Sequence, residues 1–310
     1  MQVDNKLEKV AVFIRAHLDS PYLSASLNSI NNQDYLGPIE IFIITDRVTP
    51  DVRLLIKNFT SKYNIKVIDN ISGNLASGLN MALAETDSDY IAILDSDDLM
   101  HQSRIRKQVD FLIKHNFSAL GSNLELIDEK GNELGISHMP QGNDVISQLP
   151  QISTIAHPSS IIKKDSLLSV GGYREFFAYS EDYDLWIRLS EKYSIGNMNE
   201  ALTQYRIHPN QLTISKLKKH IWAVLATKYS KELRESGKID LPNSFKDLEQ
   251  WKRNGKRKLL RYKRFRSLLA KAYVSKNNSN LSFLKIYYVI NVLIFNPKFF
   301  IVSLHRKLKI

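Results

Sequence analysis

Asp95-Ser96-Asp97-Asp98 puts three carboxylates within four residues, directly after the apolar run Tyr90-Ile91-Ala92-Ile93-Leu94. Like charges that close do not all stay ionised in a partly buried site without a counter-charge. A divalent cation supplies one, because hard cations favour oxygen ligands. If the apolar run is a strand that continues through the acids, side chains two apart point the same way. Asp95 and Asp97 would then face one ion together, as part of a metal and phosphate site. The same residues also fit a solvated acidic loop capping the helix that follows.

Three other positions carry groups of the right chemistry. Glu181-Asp182 follows Gly171-Gly172 and opens a run of helical spacing. One of its carboxylates could serve as a general base at the mouth of a sheet, taking a proton from an attacking hydroxyl. Equally, acids in a first helical turn favour the helix dipole, with Ser180 as N-cap. His208, in Tyr205-Arg206-Ile207-His208, offers an imidazole, a common metal ligand and also a common structural hydrogen-bonding group. Asp46 follows the apolar run Ile41–Ile44, where acids at strand ends often bind ribose or base groups. A plain turn before the next helix would also place an acid there.

The elements that position these groups alternate in period. Val10–Arg15, Ile39–Thr45, Lys66–Ile68 and Tyr90–Leu94 read as strands, and Pro21–Gln33, Asp51–Tyr63 and Leu75–Ala84 as helices between them. Such alternation predicts an α/β fold with a mostly parallel sheet covered on both faces. Ligands in such sheets bind beyond the carboxyl ends of the strands, where the acidic tetrapeptide falls. Ser103–His115 then reads as a helix, Leu120–Ile127 as a strand, Lys130-Gly131-Asn132 as a turn and Ser160–Ile162 as a short strand. Residues 136–156 lack clear periodicity and predict a loop, and Asp182–Tyr193 predicts a helix.

A chain of 310 residues suits one large domain with an appendage, or two domains. It has no cysteine, which excludes disulfides and thiolate metal sites. The N-terminus shows no charged-then-apolar leader, so a cytoplasmic protein is expected. The net charge of +11 is divided unequally. Residues 1–215 carry 19 Lys and Arg against 27 Asp and Glu, while residues 216–310 carry 24 against 5. The acidic front predicts a cation site, and the basic back an anionic surface. Within the back, Trp251–Arg266 has nine Lys or Arg interleaved with Leu259, Leu260, Tyr262 and Phe265, and Leu281–Leu304 is rich in large apolar side chains. The uncharged run Ile286–Pro297 is too short to span a bilayer core of roughly 30 Å. An interfacial segment on anionic lipid fits better. The expected division is therefore a domain over 1–215 and a basic, amphipathic helical extension over 216–310.

The series as a whole is more specific than its parts. It runs from Val10-Ala11-Val12-Phe13-Ile14 through Ser29-Ile30 with Gln33, Thr45-Asp46, Gly73 with Asn80, and Leu94-Asp95-Ser96-Asp97-Asp98. It continues with His157-Pro158-Ser159, Gly171-Gly172-Tyr173, Glu181-Asp182-Tyr183-Asp184-Leu185-Trp186 and Tyr205-Arg206-Ile207-His208. Over residues 8–215 it resembles the family 2 inverting glycosyltransferases of the GT-A fold, especially bacterial enzymes that build capsule or lipopolysaccharide sugars.

The resemblance implies a hexosyl transfer from a nucleotide-sugar donor, UDP-linked by family default, to a hydroxyl of a glycan or lipid-linked acceptor. It implies Mn²⁺ or Mg²⁺ as cofactor. Asp95 and Asp97 match the Asp-x-Asp motif, with Asp97 as metal ligand, and His208 matches a late histidine that completes the metal or phosphate contacts. Asp182 matches the catalytic base, with Glu181 beside it placing the acceptor. Gly171 and Gly172 match a glycine loop near the donor sugar, and Asp46 matches an acid that reads the base. Two departures fall on the nucleotide pocket. Asp46-Arg47-Val48-Thr49 stands where the family shows Asp-Asp-Gly-Ser, and Arg15-Ala16-His17-Leu18 where it shows Pro-Thr-Tyr-Asn. The expected place is the inner face of the bacterial cytoplasmic membrane, held peripherally through residues 216–310, with no nucleic acid as partner. The rival readings are a sugar-phosphate nucleotidyltransferase, whose glycine-rich, lysine-bearing phosphate loop is missing, a nucleic-acid-binding protein acting through the basic tail, and an inactive relative of the transferases.

Overall fold

The structure, a computed structural model, describes residues 7–208 and 217–241. Its centre is a nine-stranded sheet. Strands β1 (Val10–His17), β2 (Ile39–Asp46), β3 (Asn64–Asp69) and β4 (Tyr90–Asp95) are parallel and lie in the order β3-β2-β1-β4. The first two crossovers run to one side of β1 and the third to the other. The switch in direction opens a crevice at the carboxyl ends of β1 and β4. β1 and β2 are almost wholly apolar, as strands covered on both faces must be.

Alternate residues of these strands feed two cores. Val10, Val12 and Ile14 pack with helices α1 (Leu23–Asn31), α2 (Pro50–Asn58) and α4 (Arg104–His115). Ala11 and Phe13 face the other way, toward α3 (Leu75–Glu85) and α7 (Glu181–Ser190). Beyond β4 the sheet becomes mixed. β8 (Ile161–Lys163) runs antiparallel to β4, β6 (Ala119–Ile127) antiparallel to β8, and β9 (Ile195–Arg206) parallel to β6. β5 (Leu99–Met100) closes the far edge against β9, and β7 (Glu133–Ser137) pairs with β6.

Several boundaries differ from the sequence reading. α2 stops at Asn58 instead of reaching Tyr63, because Ser61 draws the chain away. Its hydroxyl accepts from the Tyr63 backbone N–H (3.0 Å) and donates to Asn31 Oδ1 (2.7 Å), a local alternative to the helical ladder. The expected loop over 136–156 contains the end of β7 and a short helix, α5 (Asn143–Gln148). Helix α6 (Lys164–Ser169) and the long strand β9 were also not foreseen. A final helix, α8 (Leu217–Glu235), packs on the domain. Ala226 and Leu233 join Phe177 and Leu241 in a small apolar cluster. Among the described residues no helix is long and apolar enough to cross a membrane. The basic stretch Trp251–Arg266 and the apolar stretch Leu281–Leu304 lie outside them.

Candidate active site

β4, expected over Tyr90–Leu94, ends at Asp95, so Asp95 and Asp97 do not share one face of a continuing strand. A tight turn takes its place, with the Asp98 N–H donating to the Asp95 carbonyl (3.1 Å). The Ser26 hydroxyl on α1 pins this turn by donating to the Ser96 carbonyl (2.9 Å). The turn gathers not two acids but three. One carboxylate oxygen each from Asp95, Asp97 and Asp98 lies within 4.8 Å of the others.

The end of β9 approaches the same turn. The Arg206 N–H donates to Asp98 Oδ1 (2.8 Å), and its Nε donates to the Asp97 carbonyl (2.9 Å). His208 Nε2 lies 2.9 Å from Asp97 Oδ2. Arg206 stacks its guanidinium 4.4 Å over the Tyr22 ring. Asp98 is fully buried, and its Oδ2 has no hydrogen-bond partner among the described residues. Burial, followed by the charges of Asp97 and Asp95, pushes Asp98 well above the usual carboxylate range. Burial also raises Asp95, against the opposing pull of Arg15, its register partner on β1.

This donor set fits a hard divalent cation. It is rich in carboxylate oxygen, has an imidazole beside it, and leaves one buried oxygen unsatisfied. A cation there would remove the like-charge repulsion that the three acids impose on one another.

Glu181 and Asp182 open α7 at the same end of the sheet. Ser180 stands at the N-cap position, but its side chain makes no capping hydrogen bond. Its hydroxyl instead pairs with Thr227 Oγ1 on α8 (3.0 Å). Burial raises Asp182 to about 6, against the pull of the Tyr183 N–H and its own, with the charge of Asp95 adding to the rise. Helix-terminal N–H groups therefore favour the Asp182 carboxylate but do not outweigh burial. Glu181 is raised to about 7 by burial and then by the charge of Asp182, and its buried Oε2 has no partner among the described residues.

Asp46 ends β2 and is nearly buried. His17 Nδ1, from the end of β1, lies 3.0 Å from its Oδ2, and Arg47 Nε donates to Oδ1 (2.9 Å). Burial works against the Asp46 charge, but the Arg47 hydrogen bond and the electrostatic pull of His17, Arg47 and Arg15 hold it below its ordinary value. Arg47, the residue that departs from the family pattern, thus clasps the acid beside it. Gly171 and Gly172 form the turn that ends α6, donating to the Leu168 and Leu167 carbonyls. Both have positive φ, and a side chain on Gly172 would begin 2.8 Å from Asn80 Oδ1.

The structure therefore gathers Asp95, Asp97 and His208 into one cluster, with Glu181 and Asp182 within electrostatic reach of it. Asp46 ends the strand on the other side of β1, and the two glycines shape a neighbouring turn. Sequence reasoning gave no role to Asp98, Arg206 or His157. Asp98 stood in plain view among the acids, and Arg206 lay inside Tyr-Arg-Ile-His, but burial in one case and a partner far along the chain in the other decide their roles. His157 is buried against Tyr173 and Trp186, with Nε2 3.0 Å from the Tyr173 hydroxyl. Burial lowers it to about 4, so it is neutral at physiological pH.

Residues 11–171 match the family described as Glycosyl transferase family 2. The Escherichia coli protein named O-antigen biosynthesis glycosyltransferase WbnJ is 32% identical over 206 residues, covering 65% of this chain and 81% of that protein. An E. coli UDP-Gal:alpha-D-GlcNAc-diphosphoundecaprenol beta-1,3-galactosyltransferase is 30% identical over 204 residues, covering 64% of this chain and 72% of that protein. Among solved structures, S. aureus TarS 1-349 in complex with UDP superposes with a TM-score of 0.55 at 18% identity, over 73% of this chain and 65% of that one. The mannosyltransferase PcManGT from Pyrobaculum calidifontis, in complex with GDP-Man and Mn2+, gives 0.54 at 14% identity, over 74% of this chain and 65% of that one. At such identities the two structures attest the fold.

Proposed function

We propose, from the premise that this chain belongs to glycosyl transferase family 2, that it is a metal-dependent inverting glycosyltransferase of bacterial surface-polysaccharide synthesis. Its donor is a nucleotide sugar, UDP-linked in this reading, and its acceptor is a hydroxyl of a lipid-linked glycan. The observation that carries the reading is the cluster of three carboxylates with one buried, unpartnered oxygen on Asp98, held within electrostatic reach of Glu181 and Asp182.

Asp97, Asp95, Asp98 and His208 are the groups that would hold Mn²⁺ or Mg²⁺, which when bound offsets the charge of the departing diphosphate. Asp182, ionised above pH about 6, accepts the proton of the acceptor hydroxyl. The hydroxyl oxygen forms its bond to the anomeric carbon from the face opposite the diphosphate. The carbon–oxygen bond to the diphosphate breaks, and its electron pair leaves with the nucleoside diphosphate. A single displacement of this kind inverts the anomeric centre. Glu181 helps seat the acceptor, and the Asp46 clasp with His17 and Arg47 contacts the base. The glycine turn at Gly171-Gly172 borders the donor sugar. The charge imbalance of residues 216–310, 24 cations against 5 acids, supports peripheral attachment to the anionic inner face of the cytoplasmic membrane.

The reading is tested by offering the full-length protein UDP-, GDP-, dTDP- and CMP-sugars with Mn²⁺ and a diphosphate-lipid-linked sugar acceptor. Transfer from one nucleotide class, lost on chelation and giving product of inverted anomeric configuration, is the expected result. Retention of configuration, or undiminished turnover in chelator, would overturn the mechanism. Attachment is read separately, by sedimentation with phosphatidylglycerol vesicles of the full chain and of a chain ending at residue 241. Equal binding by both would remove the role given to the basic tail.

A further inference from the structure

Tyr179 has a φ of 76°, a left-handed conformation that is uncommon for a bulky side chain and needs support from its surroundings. It sits directly before Ser180, Glu181 and Asp182. Its support comes from α8. His220 Nδ1 lies 2.6 Å from the Tyr179 carbonyl, and since a carbonyl only accepts, that nitrogen carries the proton. One residue further on, Ser180 is fully buried with its hydroxyl 3.0 Å from Thr227 Oγ1, also on α8.

The other side of the segment is clamped by Arg174. Its guanidinium pairs with Asp184 on α7, donates to Asp240 Oδ2 (2.7 Å) and the Leu241 carbonyl (2.6 Å), and covers the Phe177 ring at 4.3 Å. The segment between Arg174 and Asp184 is therefore gripped by residues 220–241 at Arg174 and again at Tyr179 and Ser180. The peptide of Tyr179 sets the direction in which the first turn of α7 leaves. A return of Tyr179 to ordinary backbone angles would rotate that peptide and swing both acid side chains.

We infer that α8 is part of the apparatus of transfer and that His220 is a positioning residue, holding the strained Tyr179 peptide so that Glu181 and Asp182 face the carboxylate cluster. The inference rests on the role proposed for that pair. It makes the first stretch of the basic C-terminal region a brace for the acid pair, distinct from any membrane-binding part further on.

The test uses the full-length protein and three variants. His220→Leu removes the donor. His220→Asn places an amide N–H on the same branch position as Nδ1. Thr227→Val removes the Ser180 partner at nearly equal volume. For His220→Leu, kcat should fall by about 10- to 100-fold, the scale set by misplacing reacting groups by about an ångström, with the donor KM within about twofold of wild type. Deuterium exchange in a peptide spanning residues 176–186 should rise, while the melting temperature stays close to wild type. His220→Asn should restore most of kcat and of the protection, and Thr227→Val should lower kcat to a smaller extent. Unchanged kcat and exchange in both His220→Leu and Thr227→Val, or no recovery in His220→Asn, would overturn the assignment. If the wild type itself transfers no sugar, the proposed function fails, and the exchange result still decides whether His220 holds the segment.

Discussion

His208 Nε2 and Asp97 Oδ2 stand 2.9 Å apart although 111 residues separate them in the chain. The pair joins the turn after β4 to the end of β9, and Arg206 repeats the connection two residues earlier by donating to Asp98 and to the Asp97 carbonyl. The acids are thus held in place from the opposite half of the sheet.

The unsatisfied oxygen of Asp98 separates two effects of one substitution. Asp98→Asn removes a buried group that competes with two neighbouring charges, so the metal-free protein should melt at the wild-type temperature or a few degrees above it. Mn²⁺ should stabilise the wild type by about 2.7 kcal/mol at a hundredfold excess over its dissociation constant, and the variant much less. Asp97→Asn should likewise lose the Mn²⁺ response and metal-dependent donor binding. Thermal melts with and without Mn²⁺ measure both.

The raised pKa of Asp182 gives a pH profile with a definite sign. Transfer needs the ionised carboxylate, so kcat/KM should rise through pH about 6 and flatten above it. Asp182→Asn should bind donor and fail to transfer. Stability moves the opposite way. The folded protein holds these protons more tightly than the unfolded chain, so burial of Asp182 and Glu181 costs little below pH about 4. The destabilisation then grows as pH rises from 3.8 toward about 6 for Asp182 and from 4.5 toward about 7 for Glu181. Denaturant titrations of metal-free protein, comparing wild type with Glu181→Gln, test this. The variant should gain stability relative to wild type as pH increases.

The two glycines should respond unequally to alanine. At Gly171 a Cβ meets nothing within 4 Å, so Gly171→Ala pays chiefly for the left-handed backbone, about 1–2 kcal/mol. At Gly172 the same backbone cost is joined by a 2.8 Å approach to Asn80 Oδ1. Asn80 cannot retreat freely, since it accepts from the Tyr173 N–H and donates to the Tyr173 carbonyl. Gly172→Ala should therefore be the more destabilising in urea melts, and equal losses would contradict the packing described.

Asp184 is 1% exposed and paired with Arg174 and Arg188. Asp184→Ala takes the buried carboxylate from Arg188 and leaves Arg174 only Asp240 as an acidic partner among the described residues, and should cost about 3–5 kcal/mol. Glu191→Ala, which loses a more exposed pair with Arg234, should cost under about 1 kcal/mol. Chemical denaturation of the two variants distinguishes the cases.

Much of the first half of the fold is legible in the chain because apolar strands such as Val10–Ile14 and Ile41–Ile44 are buried on both faces and stand out against the helical spacing between them. β9 was missed because its pairing with β6 shifts register around Ser122–Leu124, which breaks the period of two that marks a strand. β7 was missed because it is half exposed. Residue type and order singled out Asp95, Asp97, Asp182 and His208, which the structure brings to one end of the sheet. They did not show that Asp98 alone is fully buried, because that depends on Arg206 arriving from 108 residues away. Nor did they show α8 behind the acid pair, since its contacts are made by a histidine, a threonine and a serine with no distinctive spacing.

The parallel pairing of β6 with β9 also dictates an order of assembly. A growing chain can lay down β1 to β4 and the three acids of the turn long before β9, with Arg206 at its end and His208 just beyond, has been made. Parallel partners so distant in sequence meet late, because a long loop must close before their contacts form. The acid cluster is complete only when the last strand is in place, since Arg206 and His208 reach Asp98 and Asp97 from its end.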